Sequence, residues 1–228
     1  MGIGNMLLLS QCGGYSVAII LSLCVLIPMI FHVDHFRGHC LLYTTGDFIE
    51  EDGRFDPKWS CSVYCYLTMF IGLFSFICSL VQLVRMSIFI SKGLDSSFLS
   101  AFGDVVLCVV FAISSLVNAI LVSGGFSTWC SAVTQRFPSC ETATVMKIGK
   151  DTHIDPSGFF IEIGAVQFGI WTLLVCWVLL LVLAGRKLFI YHERENIIIS
   201  MARERQRYLA NGGRSQGGYT PVDYQNYM

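Results

Sequence analysis

The sequence predicts an all-α membrane protein: a four-transmembrane-helix bundle with two disulfide-braced outer loops and a cytoplasmic helical extension of the fourth span. Three observations carry this. First, 54% of the 228 residues are hydrophobic and only 14% are charged, about half the roughly 25% of an ordinary soluble domain. Mean hydropathy is +0.62. Second, the charge is absent from four windows, 1–33, 59–84, 105–135 and 163–185, which together make about half of the chain. Each exceeds the roughly 20 apolar residues needed to cross a hydrocarbon core. Third, four of the ten cysteines, Cys40, Cys61, Cys130 and Cys140, fall in the two loops at about 34–62 and 124–162. A soluble enzyme is excluded, because the few charged residues cannot cover a globule with four such segments inside. The longest remaining stretch is also too short for a separate folded domain.

The spans follow in order. The first covers about 15–32 and reads as a retained helix rather than a signal peptide, since it has no basic n-region and no small-residue cleavage site. Pro28 near its outer end is tolerable there. The second covers about 63–84 and is closed by Arg85; the third covers about 105–122, with Gly124-Gly125 expected to end it. The fourth covers about 163–185 and is closed by Arg186-Lys187. Residues 1–190 thus form the transmembrane domain, 191–210 a helical extension and 211–228 a flexible tail.

Orientation follows from the Lys/Arg bias. The 85–104 segment and the tail hold nine of the 15 basic residues against five acids, not counting Asp104. Loops 34–62 and 124–162 hold the other six basic residues against nine acids, not counting Glu162. Both termini are therefore expected in the cytoplasm and both loops outside, in a secretory-route membrane, either plasma or vesicular.

That topology exposes the loop thiols to an oxidising compartment. Cys40 and Cys61 bracket loop one, Cys130 and Cys140 lie in loop two, and Cys65 sits one helical turn below Cys61. Four cysteines allow three connectivities. Pairing within each loop is simplest, whereas a bond between loops would lock the two hairpins together. Cys12, Cys24, Cys78, Cys108 and Cys176 lie in or beside spans, as small apolar side chains; Cys12 is also a palmitoylation candidate. His32, His35 and His39 have helical spacing, but Gly38 and the charges around it argue that the helix has ended, so no metal or cofactor is expected. Glu50-Glu51-Asp52 reads as a solvated turn, and no N-x-S/T sequon occurs.

These loop residues carry a resemblance. Phe36-Arg37-Gly38-His39-Cys40-Leu41-Leu42, Ser97-Phe98-Leu99-Ser100-Ala101-Phe102, Gly125-Phe126-Ser127-Thr128-Trp129-Cys130 and Ala165-Val166-Gln167-Phe168-Gly169-Ile170-Trp171 resemble, in order and at comparable spacing, the transmembrane protein 179 family. The likeness runs from about residue 5 to 190 and leaves the tail after about 195 unmatched. It implies four spans and cysteines at Cys40, Cys61, Cys130 and Cys140, and no particular activity. A tetraspanin-like chain would show Cys-Cys-Gly, and a connexin-like one three cysteines per outer loop. A claudin-like chain would show Gly-Leu-Trp before two cysteines, where only Trp59-Ser60-Cys61 is present. The general four-helix plan is shared with claudin-like accessory subunits by analogy.

Intramembrane ionisable groups mark transport or catalysis by default. Asp104, at the start of span three, reads chiefly as a cap-like acid favoured by the helix dipole, and Glu162 is its counterpart on span four. Gln82, Asn118 and Gln167 are the strong hydrogen bonders within the spans, of the kind that tie helices together. Ser115, Ala119 and Ser123, four apart, form a stripe permitting close helix approach, and one sequence leaves the neighbour open between this chain and another. No hydrolase, zinc-protease or P-loop motif occurs. In the tail, Arg203, Arg205 and Arg207 suit anionic headgroups, at roughly 1 kcal/mol each near the surface, diluted by Glu193, Glu195 and Glu204. Tyr224-Gln225-Asn226 suits an SH2 domain if Tyr224 is phosphorylated, although such short patterns are common by chance. The expected partners are the lipid bilayer and other integral membrane proteins, not nucleic acid. The leading reading is a non-catalytic accessory or organising subunit acting by lateral and extracellular contacts. The alternative is a small transporter or channel component using Asp104 and Glu162.

Overall fold

The computed structural model describes residues 3–50, 54–92, 98–145, 148 and 154–212. Glu51-Asp52, Tyr224 and the rest of the expected tail from 213 onward lie outside the described residues. Four helices carry the chain: α1 (Ile3–His35), α2 (Val63–Lys92), α3 (Phe98–Val133) and α4 (Phe159–Gly212). All four are long and apolar enough to cross a membrane. Strands β1 (Thr45–Phe48) and β2 (Phe55–Lys58) pair antiparallel, Thr45 with Lys58 through Phe48 with Phe55. This hairpin is an addition to the all-helical plan. Alternation does not announce strands of four residues, and a proline stands in β2. We call the end carrying the hairpin the loop end and the opposite one the terminal end.

The helices form a bundle in which α1 packs on α2 and α4, and α4 on α1 and α3, while α2 and α3 approach each other sparsely. Apolar side chains such as Ile20, Phe70, Ile113 and Val175 are about half exposed or more around its circumference. In a membrane that belt faces lipid, and packing rather than water exclusion holds the helices together. A close approach makes this concrete: a Cβ on Gly169 would lie 2.9 Å from Val25 Cγ2 and 3.3 Å from the α1 backbone. The inner layer stacks Phe111 on Trp177 at 4.5 Å between ring centroids, with Tyr15 edge-on to Trp177.

The helices overrun the expected spans. The instructive case is Gly124-Gly125, expected to end the third span. Instead, α3 continues to Val133. The glycines are there for clearance: Cβ atoms on them would lie 2.9 Å from Tyr43 Oη and 2.9 Å from Leu42 Cβ, respectively. The Tyr43 N–H donates to the Gly125 carbonyl at 3.1 Å. The Leu41–Tyr43 segment lies across α3 where only glycine leaves room. The second long loop therefore begins near residue 134 rather than 124.

At the loop end, Phe36, Leu41, Phe55, Trp129, Val133 and Phe159 form a buried core with Ile148, which bridges to Phe55. Cys130 is bonded to Cys140. Cys40, however, is bonded to Cys65 and not to Cys61, which is free and exposed. The reason is local: α2 starts at Val63, so Cys65 is on the helix and turned fully inward, while Cys61 precedes it and faces out. Cys40 and Leu42 are buried in the same core cluster as Cys65, with 5.8 Å between the two cysteine Cα atoms.

Candidate functional site: two buried polar layers

Polar side chains inside the bundle gather at two levels. At the terminal end, Asp104 is completely buried. It sits in the second turn of α3, not in the first turn where the cap reading placed it. Arg85 of α2 donates to its Oδ1, as does Gln82 Nε2 at 3.2 Å. Lys187 Nζ of α4 lies 3.8 Å from Oδ2 and 3.9 Å from Met86 Sδ. The sequence explains the meeting. Arg85 is the first charge after one apolar window, Asp104 the last before the next and Lys187 the second after the fourth. Antiparallel traversal brings all three to one level. An unpaired aspartate in a span costs about 2.5–3.5 kcal/mol by insertion scales, and the two cations offset that. Gln11 of α1 is fully buried too, and its amide makes no hydrogen bond among the described residues.

At the loop end, Glu162 occupies the first turn of α4, where the helix dipole favours an acid. Its Oε1 is 2.7 Å from His35 Nδ1. Its Oε2 is 3.4 Å from Nδ1 of the fully buried His32, close enough for ion pairing but without hydrogen-bond alignment. His39, the third histidine of the helical spacing, stacks instead on Trp59 at 4.6 Å. From Glu162 to Lys187 is 25 residues of α4, about 37 Å at 1.5 Å per residue. That matches a hydrocarbon core of about 30 Å plus part of its interfaces.

Between the layers lie hydroxyl contacts. Thr68 Oγ1 of α2 is 2.8 Å from Asn118 Oδ1 of α3. Ser22 Oγ and Ser75 Oγ are 3.1 Å apart, and Trp177 Nε1 donates to Ser75 Oγ at 3.3 Å. The sparse α2/α3 seam is thus tied by Thr68–Asn118 and by Arg85 and Gln82 on Asp104. Gln167 is half-buried and joins neither layer. The Ser115–Ala119–Ser123 stripe turns into this chain: Ser115 and Ala119 are buried, and Trp171 Nε1 of α4 donates to Ser123 Oγ at 3.3 Å. Arg203, Arg205 and Arg207 are exposed on the far part of α4. Sequence reasoning treated Arg85, Lys187 and His35 as topology markers or spacing coincidences. The overlooked signal was that each sits at the boundary of an apolar window, opposite an acid at another boundary.

Next to these layers, at the loop end, a polar groove of about 480 Å³ runs between β1 and the end of α3. Thr45, Asp47, Lys58, Thr128, Ser131 and Gln135 help to line it. Just before α4, the Ser157 N–H donates to Asp155 Oδ1 at 3.0 Å. That backbone bond, with the Ser157 hydroxyl, holds the Asp155 carboxyl below its usual range. Among the described residues, the acids of the two layers are paired, Asp104 with Arg85 and Lys187 and Glu162 with His35.

The family described as Transmembrane protein 179/179B Claudin domain has a model that matches residues 7–209, all four helices and both loops. No solved structure matches the chain. The match includes the claudin relation although the Gly-Leu-Trp tripeptide expected of a claudin-like chain does not occur in the sequence, so that tripeptide was the wrong criterion for setting the relation aside.

Proposed function

The chain belongs to the transmembrane protein 179/179B claudin-domain family, and from that premise we propose that it is a non-catalytic accessory or organising subunit. It works by lateral contacts in the bilayer and by contacts of its loop end with other membrane proteins. One observation carries this reading: the buried acid Asp104 and the half-buried acid Glu162 are matched by internal partners at opposite ends of the bundle. Between them the interior is filled by Tyr15, Phe111 and Trp177. A proton or ion path needs titratable groups in succession at mid-membrane depth, whereas the polar contacts described there are the Thr68–Asn118, Ser22–Ser75 and Trp177–Ser75 pairs between helices. The loop end, by contrast, is a folded, disulfide-braced cap with a polar groove, suited to contact. The Lys/Arg bias supports an orientation with that cap outside and both termini in the cytoplasm.

The test is purification of the tagged chain from native tissue in mild detergent, with mass spectrometry of what accompanies it. A stoichiometric membrane protein whose retention depends on the loop end is the expected result. A chain that elutes alone, together with ion or solute flux in proteoliposomes that disappears on neutralising both Asp104 and Glu162, would replace this reading with the transporter.

A further inference from the structure

A second cavity lies away from both polar layers, between α1 and α2 at the loop end. It measures about 420 Å³ and is lined by Ile30, Val33, Asp34, Arg37, Gly38 and Met69, within the usual range for small-ligand sites. Its lining is graded. Ile30, Val33 and Met69 supply an apolar wall on the membrane side. Asp34 and Arg37 stand just past the charge-free window 1–33, at the headgroup level marked by His35 and Glu162. Asp34 and Arg37 are both exposed, and neither makes an ion pair with any described residue, although they are three positions apart.

The backbone explains why they stay separate. Helix α1 ends with the Gly38 N–H donating to the Val33 carbonyl at 2.8 Å and the Arg37 N–H to the Asp34 carbonyl at 3.0 Å. This closure puts Arg37 at φ 53° and Gly38 at φ 86°. The left-handed region favours glycine, so an arginine at position 37 is held there against local preference. Both Arg37 and Asp34 line the crevice.

We propose that this crevice binds one zwitterionic glycerophospholipid. Its phosphate sits on Arg37, its ammonium group on Asp34, and the root of an acyl chain lies against Ile30, Val33 and Met69. The charge arrangement selects the class. One cation and one anion match the two charges of a single headgroup, whereas an anionic headgroup would meet Asp34 without an ammonium to answer it. An uncharged diacylglycerol would use neither residue.

The experiment is native mass spectrometry of the delipidated full chain, titrated separately with phosphatidylcholine, phosphatidylglycerol and diacylglycerol. Wild type should bind one phosphatidylcholine about tenfold or more tightly than either competitor, as one charge-assisted contact allows. Asp34→Asn should erase the preference for phosphatidylcholine over phosphatidylglycerol. Arg37→Gly should weaken both phospholipids about tenfold, yet melt at an equal or higher temperature because the left-handed position is relieved. Those opposite changes separate binding from folding. Equal binding of the three lipids, an unchanged preference in Asp34→Asn, or unaffected binding in Arg37→Gly would overturn the proposal. So would a dimer that excludes lipid and dissociates in these variants, which would give the crevice to a second copy of the chain.

Discussion

The two ends of the bundle solve the same problem in different ways. At the terminal end, cohesion is ionic: a buried aspartate gathers Arg85, Gln82 and Lys187 from the two neighbouring helices in its network, with no disulfide among the described residues. At the loop end, cohesion is covalent and aromatic. Two disulfides and the Phe36–Phe55–Trp129–Phe159 core hold the hairpin onto the helix ends, and the acid there meets histidines rather than fixed cations. The contrast teaches where each device is usable. Pairing of fixed charges is strong where lipid excludes water, whereas a cap standing out of the membrane is better held by bonds that water does not weaken.

This comparison can be broken or sharpened by experiment. The largest effect belongs to Asp104→Asn. It leaves Arg85 and Lys187 facing each other without an anion and should cost about 3–5 kcal/mol, read as unfolding in detergent. Adding Lys187→Met should recover part of the loss. A cost below about 1 kcal/mol, the range of an exposed pair, would mean that the terminal end is not held by charge. Next is Cys40→Ser, which opens the staple to α2 and should cost about 3 kcal/mol by loop closure, while Cys61→Ser should leave melting unchanged. Reductant should loosen the loop end alone, seen as faster amide exchange around the hairpin but not around Asp104.

A smaller loss, about 1–3 kcal/mol, is expected for Gly125→Ala, because the added methyl meets Leu42 and Tyr43. Loosening of the 41–43 segment in hydrogen exchange would locate it. The smallest effect concerns Asp155→Ala. The Asp155 carboxyl is depressed in the folded state, so its contribution is present above the ordinary carboxylate value near 3.9. That contribution is lost as pH falls through the lower folded value. Wild type should therefore melt slightly higher than the variant at pH 7, and the two curves should converge in strong acid.

Much of this molecule is legible in one dimension. Apolar windows bounded by charges specify four crossings, and their lengths leave no other element able to satisfy its backbone in lipid. The Cys130–Cys140 bond is partly legible: its partners lie ten positions apart and within-loop pairing is the simplest of the three connectivities, which the sequence leaves open. Cys40 is different. Cys61 and Cys65 are both within reach along the chain, and only the start of α2 at Val63 determines which one turns inward. Gly124-Gly125 shows the same limit, because a glycine pair reads equally as a helix end or as clearance for a crossing segment.

The sequence by itself determined the class, the number of spans and the levels at which charge is allowed, because hydrophobic length and charge position are properties of the chain alone. The tertiary structure decided the partners: Arg85 and Lys187 for Asp104, His35 for Glu162, Cys65 for Cys40, and the crevice between α1 and α2. Which helices become neighbours, and with what rotation, depends on packing shape summed over whole faces. No local run of residues encodes that sum.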